Sequence, residues 1–484
     1  MTTPIYYVND VPHLGHASTT VLADIFARWH RLLGEEVFFL TGTDEHGEKI
    51  QKAAAKAEKE PKEFVDSIVD NFKKVWERLR ISNDYFIRTT DEQHIEAVKK
   101  FIPLLFSKDD IYKGEYEGWY CTPDETFVLE SQLVGGKCPS CGRDVVKIKE
   151  EAYFFRLSKY QDKLLEMYNA NPLFLEPAYS NEIINRVKSG LKDLDISRTT
   201  VTWAIPFPSD EKHFVYVWID ALTNYITALG WPGSEQFKKF WPADVHIMGK
   251  EINWFHSVIW PAMLMSAGIE LPKRIFVHGW WTVEGQKMSK SIGNVVSPIA
   301  ISDKYSSDAL RYFIAREMSP GIDSDFSEAK LIERINNELV ADLGNLVYRV
   351  LTIAEKYPGK IEGSAELEKE LDLEPVKAAM EKLDARGALE HIWRFIKAAN
   401  KYVNDKAIWK LEGAELSNAL YNLLEAMRII SILIEPYMPD ASAEISKQIG
   451  TKQGKLADCK FGKFEGKISK SSYLFKKVDV KKGA

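Results

Sequence analysis

Short apolar segments typical of β-strands alternate with longer amphipathic segments, and this alternation constrains the fold more than any other feature of the chain. Ile5 to Val8 is apolar and β-prone, and Thr19 to Leu33 has apolar residues at helical spacing. Glu36 to Leu40 is predicted to be a buried strand followed by a turn at 41–43, and the chain from Glu48 onward is predicted to be helical. This order predicts a parallel sheet with crossover helices.

The alternation stops and later resumes, which splits the predicted sheet into two halves. Glycines, aromatic residues and a Cys-x-x-Cys follow Tyr112 and indicate an insertion, after which strand-like segments return at Phe214 to Ile219, Val245 to Met248 and Ile275 to Val277. From Glu328, apolar residues recur at helical spacing and predict a helix bundle. The predicted segments are the first half of the sheet at 1–110, the insertion at 111–212, the second half at 213–280, a lysine-containing loop region at 281–327 and a helical domain at 328–484.

The composition excludes several classes of protein. The chain has 484 residues and a net charge of −6, and it lacks an uninterrupted apolar run of the ~18 residues that a membrane span needs. No secretory signal is visible, and four cysteines do not form a disulfide framework. These features predict a cytoplasmic protein that does not bind a membrane. A nucleic-acid site would have to be a local basic surface such as the lysine-rich tail from Lys447, for which an ordinary solvated surface is the alternative.

Two short strings carry the predicted chemistry. His13-Leu14-Gly15-His16 follows a strand and opens a helix, where free N–H groups and the helix dipole favour a phosphate, and the two imidazoles could donate to it. Gly15 would let a nucleotide base approach the backbone. Lys287-Met288-Ser289-Lys290-Ser291 lies in a polar, glycine-containing loop, where two lysines could hold departing phosphates. The alternatives are structural histidines and a solvated Lys-Ser loop.

Together the two strings resemble the signature pair of the class I aminoacyl-tRNA synthetases. Further strings are similar to the methionyl branch of that family, including Tyr6-Tyr7-Val8-Asn9, Gly42-Thr43-Asp44-Glu45-His46-Gly47, Trp218-Ile219-Asp220-Ala221 and His278-Gly279-Trp280-Trp281. The resemblance covers nearly the whole chain. It implies an α/β fold with a Rossmann-like parallel sheet, split by a connective insertion and followed by an α-helical anticodon-binding bundle.

The resemblance also assigns site residues. It implies that ATP is bound by His13, Gly15, His16, His278, Lys287 and Lys290, of which His13, His16, Lys287 and Lys290 are catalytic. It implies that methionine is bound by Ile5, Tyr7, Asp44, Trp218, Ala221, Tyr225, Ile252, Phe255, His256 and Trp260. Asp44 would hold the α-ammonium group, and an aromatic slot suits an unbranched thioether. Any one of these aromatic residues, taken alone, is more often part of the core than of a pocket.

The implied reaction has two steps, in which methionine and ATP with magnesium give methionyl-adenylate and pyrophosphate, and a methionine tRNA then accepts the methionyl group. Asn345 and Arg349 share one helix face and, with Trp409, match the family's anticodon-reading residues. Two departures affect this match. Ala341 stands where the family often has Asn, and Ile408 stands where it usually has Pro.

The insertion contains an incomplete metal pattern. Cys121, Cys138 and Cys141 have the spacing of paired zinc knuckles, but Asp124 occupies the position where a fourth cysteine would be expected. Asp124 can still ligate zinc, so the four residues are a possible zinc site. The alternative is a metal-free knuckle.

Three other functions stay open at this stage: another class I synthetase, a small-molecule adenylyltransferase and a non-catalytic tRNA-binding relative. The insertion is too short for the editing domain of the leucyl, isoleucyl and valyl enzymes. His13, His16, Lys287 and Lys290 are all present, which argues against a non-catalytic relative. A monomer without an appended tRNA-binding domain is expected. The strand that should lead to His13 is expected to be nearly missing, because few residues precede Pro4.

Overall fold

A computed structural model describes residues 1–122, 126–128, 130–139, 141–208, 210–288, 293–471 and 473–479. The strands are β1 (Thr2–Tyr7), β2 (Leu40–Asp44), β3 (Tyr85–Arg88), β4 (Ile111–Cys121), β5 (Thr126–Val128), β6 (Val146–Phe155), β7 (Leu194–Asp195), β8 (Ser197–Arg198), β9 (Phe214–Val215), β10 (His246–Gly249), β11 (Ile275–His278), β12 (Trp281–Val283), β13 (Gln286–Lys287) and β14 (Ser324–Phe326).

The α-helices are α1 (Leu14–Leu33), α2 (Glu48–Lys56), α3 (Pro61–Arg78), α4 (Glu92–Phe106), α5 (Gln161–Ala170), α6 (Pro177–Lys188), α7 (Val217–Thr227), α8 (Glu235–Phe240), α9 (Trp260–Ala267), α10 (Pro298–Tyr305), α11 (Ser307–Glu317), α12 (Glu328–Arg334), α13 (Asn345–Ala354), α14 (Glu374–Glu381), α15 (Ala385–Asp405), α16 (Gly413–Ile434) and α17 (Pro439–Gln448). Two segments are π-helical, Phe255–Ile259 and Ile335–Gly344.

The chain forms two compact units, each built from separate stretches of sequence. The first unit contains 1–12, 38–74 and 83–278, and the second contains 13–37, 75–82 and 279–484. In the part of the chain that the structure describes, every helix is too short or too polar to cross a membrane.

A five-stranded parallel sheet in the order β11-β10-β1-β2-β3 forms the centre of the first unit. In chain order this is the Rossmann arrangement, in which the strand order reverses between β1 and β10. Ligands of such sheets bind at the carboxyl ends of the strands, close to this reversal. The predicted split α/β fold is therefore confirmed, with the antiparallel sheet β5-β4-β6-β7 as the inserted part.

The first strand is present and spans Thr2–Tyr7, so the expectation that it would be nearly missing is wrong. β1 has six residues and pairs on both sides, with Thr2 opposite His246 of β10 and Tyr7 opposite Asp44 of β2.

The second strand lies four residues later than predicted, because residues 41–43 form part of β2 instead of a turn. Its polar residues are buried, but they have partners: the Thr3 hydroxyl donates to Thr41 Oγ1 at 2.8 Å, for example. A Cβ on Gly42 would lie 2.1 Å from the carbonyl oxygen of Ile87 in β3, so only glycine permits this close approach of two strands.

The prediction of a strand from Phe214 to Ile219 is also wrong. Only Phe214–Val215 is extended, and α7 begins at Val217. A short apolar and aromatic run does not distinguish a strand from a buried helix by its periodicity. The predictions for β10, β11 and the helical region after Glu328 are confirmed.

Helix α1 is anchored within the second unit by a buried arginine. The guanidinium of Arg311, which is fully buried in α11, lies 2.8 Å from the carboxylate of Asp24 in α1. It also donates to the backbone carbonyls of Leu79, Pro436 and Tyr437 at 2.6–3.0 Å. Each of the three guanidinium nitrogens thereby has at least one acceptor, and the contact with Asp24 fixes the helix that follows His13.

Candidate active site

The N-terminus of α1 is capped by the two histidines of the first string. His13 is the N-cap residue, its Nδ1 accepts from the Gly15 N–H at 3.0 Å, and Nδ1 of His16 accepts from the His13 N–H at 3.3 Å. The two rings stack with centroids 3.9 Å apart. A Cβ on Gly15 would lie 2.9 Å from the His13 ring, so this glycine makes room for the ring that caps the helix.

These contacts determine which nitrogen carries each ring proton. A backbone N–H can only donate, so Nδ1 of both rings is unprotonated and Nε2 carries the hydrogen. Burial, followed by the proximity of His13, lowers the pKa of His16 well below its ordinary value, which keeps that ring neutral. The helix N-terminus therefore carries two Nε2–H donors beside the positive end of the helix dipole.

The lysine string begins in a small hairpin of the same unit. Lys287 ends β13, and its backbone pairs with Thr282 of β12. The turn between the two strands is fastened by Asp325 of β14, which accepts from the Gly285 N–H and the Thr282 hydroxyl at 2.7 Å each. Lys290, the second predicted catalytic lysine, lies outside the described residues.

Three predicted residues of the first unit end strands of the parallel sheet. Tyr7 ends β1, Asp44 ends β2 and His278 ends β11. Asp44 is 4% exposed, and its carbonyl accepts from the Val8 N–H at 3.4 Å. Since all carboxyl ends of a parallel sheet lie along one edge, these side chains share the edge where ligands bind.

The aromatic residues predicted to bind methionine come from two helical segments of the first unit. Trp218, Ala221 and Tyr225 lie on one face of α7, and the ring of Trp218 stacks on Phe255 with centroids 3.7 Å apart. Phe255 opens the π-helical segment, a kind of turn that is frequent at functional sites. Five of the predicted side chains are half-buried and pack against one hydrophobic core cluster: Ile5, Tyr7, Trp218, Ile252 and Phe255.

A buried hydrogen-bonded pair lies at the base of this group. The His256 Nδ1–H donates to the Ile252 carbonyl at 3.0 Å, and burial lowers the pKa of His256 to about 4. The neutral ring therefore accepts at Nε2 from the Tyr225 hydroxyl, 2.7 Å away. Trp260 is completely buried and packs against Tyr225, with ring centroids 6.0 Å apart.

Sequence reasoning missed a buried carboxylate at the centre of this unit. Asp220, next to the predicted pocket residue Ala221, accepts from His46 and His94 on its two oxygens. The signal was present, because a charged residue inside the apolar helix Val217–Thr227 requires a buried partner.

Three cysteines of the insertion converge. The Sγ atoms of Cys121, Cys138 and Cys141 lie within 4.8 Å of one another, and those of Cys121 and Cys141 are 3.4 Å apart. Zinc bound tetrahedrally by thiolates at ~2.3 Å places the sulfur atoms roughly 3.8 Å apart, so the three thiols fit such an ion. Asp124, the predicted fourth ligand, lies outside the described residues.

The predicted anticodon residues are in the second unit. Asn345 opens α13 and is exposed, and Arg349 follows one turn later on the same face. The Arg349 guanidinium lies 5.4 Å from the ring centroid of Trp409, which is 54% exposed. Ile408, which replaces the expected proline, is buried and so directs the neighbouring Trp409 side chain towards solvent.

Comparison with known proteins places this geometry in a family. The family model described as tRNA synthetases class I (M) matches residues 1–148 and 141–351. The methionine–tRNA ligase of Caldanaerobacter subterraneus subsp. tengcongensis is 50% identical over 100% of this chain and 79% of its own length. That of Thermotoga maritima is 46% identical over 99% of this chain and 80% of its own length.

A solved structure agrees with these matches. The methionyl-tRNA synthetase of Mycobacterium tuberculosis, in complex with methionyl-adenylate, superposes with a TM-score of 0.93 at 41% identity and covers 98% of each chain. The chain therefore belongs to the class I tRNA synthetases and, within them, to the family of the methionine–tRNA ligases.

Proposed function

We propose that the protein joins L-methionine to methionine tRNA in two steps. In the first, a carboxylate oxygen of methionine attacks the α-phosphorus of ATP, and the bond to the bridging oxygen breaks to release pyrophosphate. In the second, a hydroxyl of the 3′-terminal adenosine of the tRNA attacks the acyl carbon, and AMP leaves. No side chain forms a covalent bond, so positioning and charge stabilisation supply the rate.

The observation that carries this proposal is the histidine-capped N-terminus of α1. Two Nε2–H donors at the positive end of a 20-residue helix suit an α-phosphate that gains negative charge in the transition state. We assign His13 and His16 to the α-phosphate, and Gly15 to the close approach of the nucleotide base to the backbone. Lys287 and Lys290 are assigned to the departing phosphates. His278 is assigned to the nucleotide, and ATP is proposed to enter with magnesium.

Methionine is assigned to the first unit. Asp44 supplies a carboxylate for the α-ammonium group, and the Trp218–Phe255 stack supplies a polarisable wall for the thioether. The buried Tyr225–His256 pair orients the polar end of the slot. The remaining pocket residues assigned by resemblance are Ile5, Tyr7, Ala221, Ile252 and Trp260.

We assign Asn345, Arg349 and Trp409 to the anticodon, since an exposed tryptophan beside a guanidinium suits the stacking of an unpaired base. The five segments predicted from the sequence, a monomeric state and a cytoplasmic location belong to the same proposal. Cys121, Cys138 and Cys141, with Asp124, would hold a zinc ion that keeps the inserted knuckle folded.

The test is ATP–pyrophosphate exchange measured with each of the amino acids in turn. We expect exchange that depends on methionine and that falls by about two orders of magnitude in His16→Asn. His30→Asn is the matched control, because His30 lies on the same helix but bonds Glu35 at its other end. Exchange driven by another amino acid, or absent with all of them, would overturn the proposal.

A further inference from the structure

Asp220 is held between two histidines from different parts of the first unit. Its Oδ2 lies 2.7 Å from Nδ1 of His46, and its Oδ1 lies 2.6 Å from Nε2 of His94. The other nitrogen of His94 bonds the Thr227 hydroxyl at 2.7 Å. All four residues are buried, with exposures of 1–4%.

The carboxylate fixes the protons of this network. A carboxylate only accepts, so the proton of His46 lies on Nδ1 and His94 carries one on Nε2. Burial opposes ionisation, but the adjacent histidines outweigh it and lower the pKa of Asp220 to about 2. Asp220 is therefore a buried anion whose two oxygens are both used, which makes the geometry of the contact specific.

The network joins two elements that carry proposed methionine contacts. His46 follows Asp44 by two residues in the loop after β2, and Asp220 lies between Trp218 and Ala221 on α7. Each element therefore presents one side chain to the proposed methionine site and another to the network.

A second set of buried contacts holds the same loop. Glu45 is completely buried, and its carboxylate accepts from Arg88 at 2.7 and 2.8 Å, from the Thr43 hydroxyl at 2.7 Å and from the Thr90 hydroxyl at 2.6 Å. Asp44 is thus followed directly by two anchored residues. Glu45 ties the loop to the end of β3, and His46 ties it to α7.

We propose that Asp220 is a positioning residue for methionine, which acts through His46 to fix the Asp44 carboxylate relative to the aromatic wall on α7. This inference rests on the proposed function, since it takes Asp44 and Trp218 as the two ends of the methionine site. A substrate with a charged group at one end and an apolar chain at the other binds well only when both recognition elements keep a fixed separation. An error of about 1 Å in such a separation lowers rates by about two orders of magnitude.

The experiment replaces Asp220 with its neutral isostere, asparagine. It then measures the KM for methionine and the KM for ATP separately. In Asp220→Asn one histidine faces an NH₂ group instead of an acceptor, so one of the two contacts is lost. We expect the KM for methionine in pyrophosphate exchange to rise about tenfold or more, while the KM for ATP changes less than about twofold. His46→Gln should give the same pattern, and the double variant should be no worse than the more severe single variant, because the three groups act as one unit.

The matched control is Asp110→Asn in the same unit. Asp110 is equally buried and accepts from Lys159, Tyr160 and Ser266, none of which is a proposed methionine contact. A control that raises the methionine KM as much as Asp220→Asn would show general loosening of the fold and overturn the inference. So would an unchanged methionine KM in both Asp220→Asn and His46→Gln. If Asp220→Asn does not fold, the KM for methionine of His46→Gln alone tests the inference. Absence of methionine-dependent exchange in the unmodified protein would instead remove the proposed function.

Discussion

The Tyr225 hydroxyl donates to Nε2 of His256 across 2.7 Å, and the same ring donates from Nδ1 to the Ile252 carbonyl. Tyr225 of α7 therefore fixes the orientation of a neutral histidine in the π-helical segment. Both side chains are buried, so these bonds are shielded from bulk solvent.

Tyr225→Phe should weaken methionine binding, because it leaves Nε2 of His256 buried without a donor. We expect the Kd for methionine to rise about tenfold, equivalent to about 1.4 kcal/mol, as measured by titration of tryptophan fluorescence. Tyr168→Phe is the control, since its buried hydroxyl donates to the Ser257 carbonyl at 2.6 Å outside the proposed pocket. Equal methionine affinity in the Tyr225 variant and the unmodified protein would contradict the assigned role.

The stability of the protein should depend on pH through His256. Its pKa is about 4 in the folded protein, because burial lowers it from the ordinary 6.5. Between pH 6.5 and pH 4, His256 is protonated in the unfolded chain but stays neutral in the folded protein. Stability from this group is therefore complete above pH 6.5 and is lost as the pH falls to 4, by up to about 3 kcal/mol.

Thermal unfolding between pH 4.5 and 7.5 measures this contribution. The loss of Tm on acidification should be smaller in His256→Gln, which cannot titrate, than in the unmodified protein. Parallel pH profiles for the unmodified protein and His256→Gln would show that His256 does not contribute.

Lys290→Ala should slow ATP–pyrophosphate exchange at least about tenfold while leaving methionine affinity nearly intact, because the lysine is proposed to contact only the departing phosphates. Lys304→Ala provides the comparison, since Lys304 is 59% exposed and pairs with Glu328 at 2.7 Å. Exchange that proceeds at the normal rate in Lys290→Ala would remove this residue from the reaction.

Trp409→Ala should weaken tRNA charging far more than adenylate formation. Loss of one stacked base corresponds to about 1–3 kcal/mol, so kcat/KM for tRNA should fall roughly 10- to 100-fold with pyrophosphate exchange unchanged. Trp409→Phe keeps an aromatic face beside Arg349, so its kcat/KM for tRNA should fall less than that of Trp409→Ala. The anticodon assignment fails if both steps decline together.

The cysteine cluster should contain about one zinc ion per chain when the protein is prepared without chelators. Cys138→Ser should remove most of it, and Cys459→Ser should not, because Cys459 lies outside the cluster. Metal analysis by mass spectrometry gives the count. Well under one zinc per chain in the unmodified protein would mean that the knuckle folds without metal.

Much of the fold was predictable because local signals and tertiary packing agree. The apolar strands β10 and β11 and the helices after Glu328 follow the expected periodicities. β2 was misplaced because Thr41, Gly42 and Thr43 are residue types typical of a turn. In the structure, the neighbouring strands supply a hydrogen-bond partner for Thr41 and the close packing that requires Gly42. That information comes from residues distant in sequence, which no local pattern contains.

The candidate site shows the same division. The caps of α1 follow from the order of residues within one string, so the position of His13 at a helix start was predictable and is confirmed. The contact of Asp220 with His46 spans 174 positions, and the order of residues does not encode which histidine a buried carboxylate will meet. The sequence could only indicate that Asp220 needed a partner.

The strand order has a consequence for how such a chain can change. β3 lies at one edge of the sheet and β10 on the far side of β1, so the connection between them must cross the sheet whatever its length. A module placed in this connection can grow or shrink while Tyr7 stays opposite Asp44. The architecture thus separates a part that is free to diverge from a part that must keep its register.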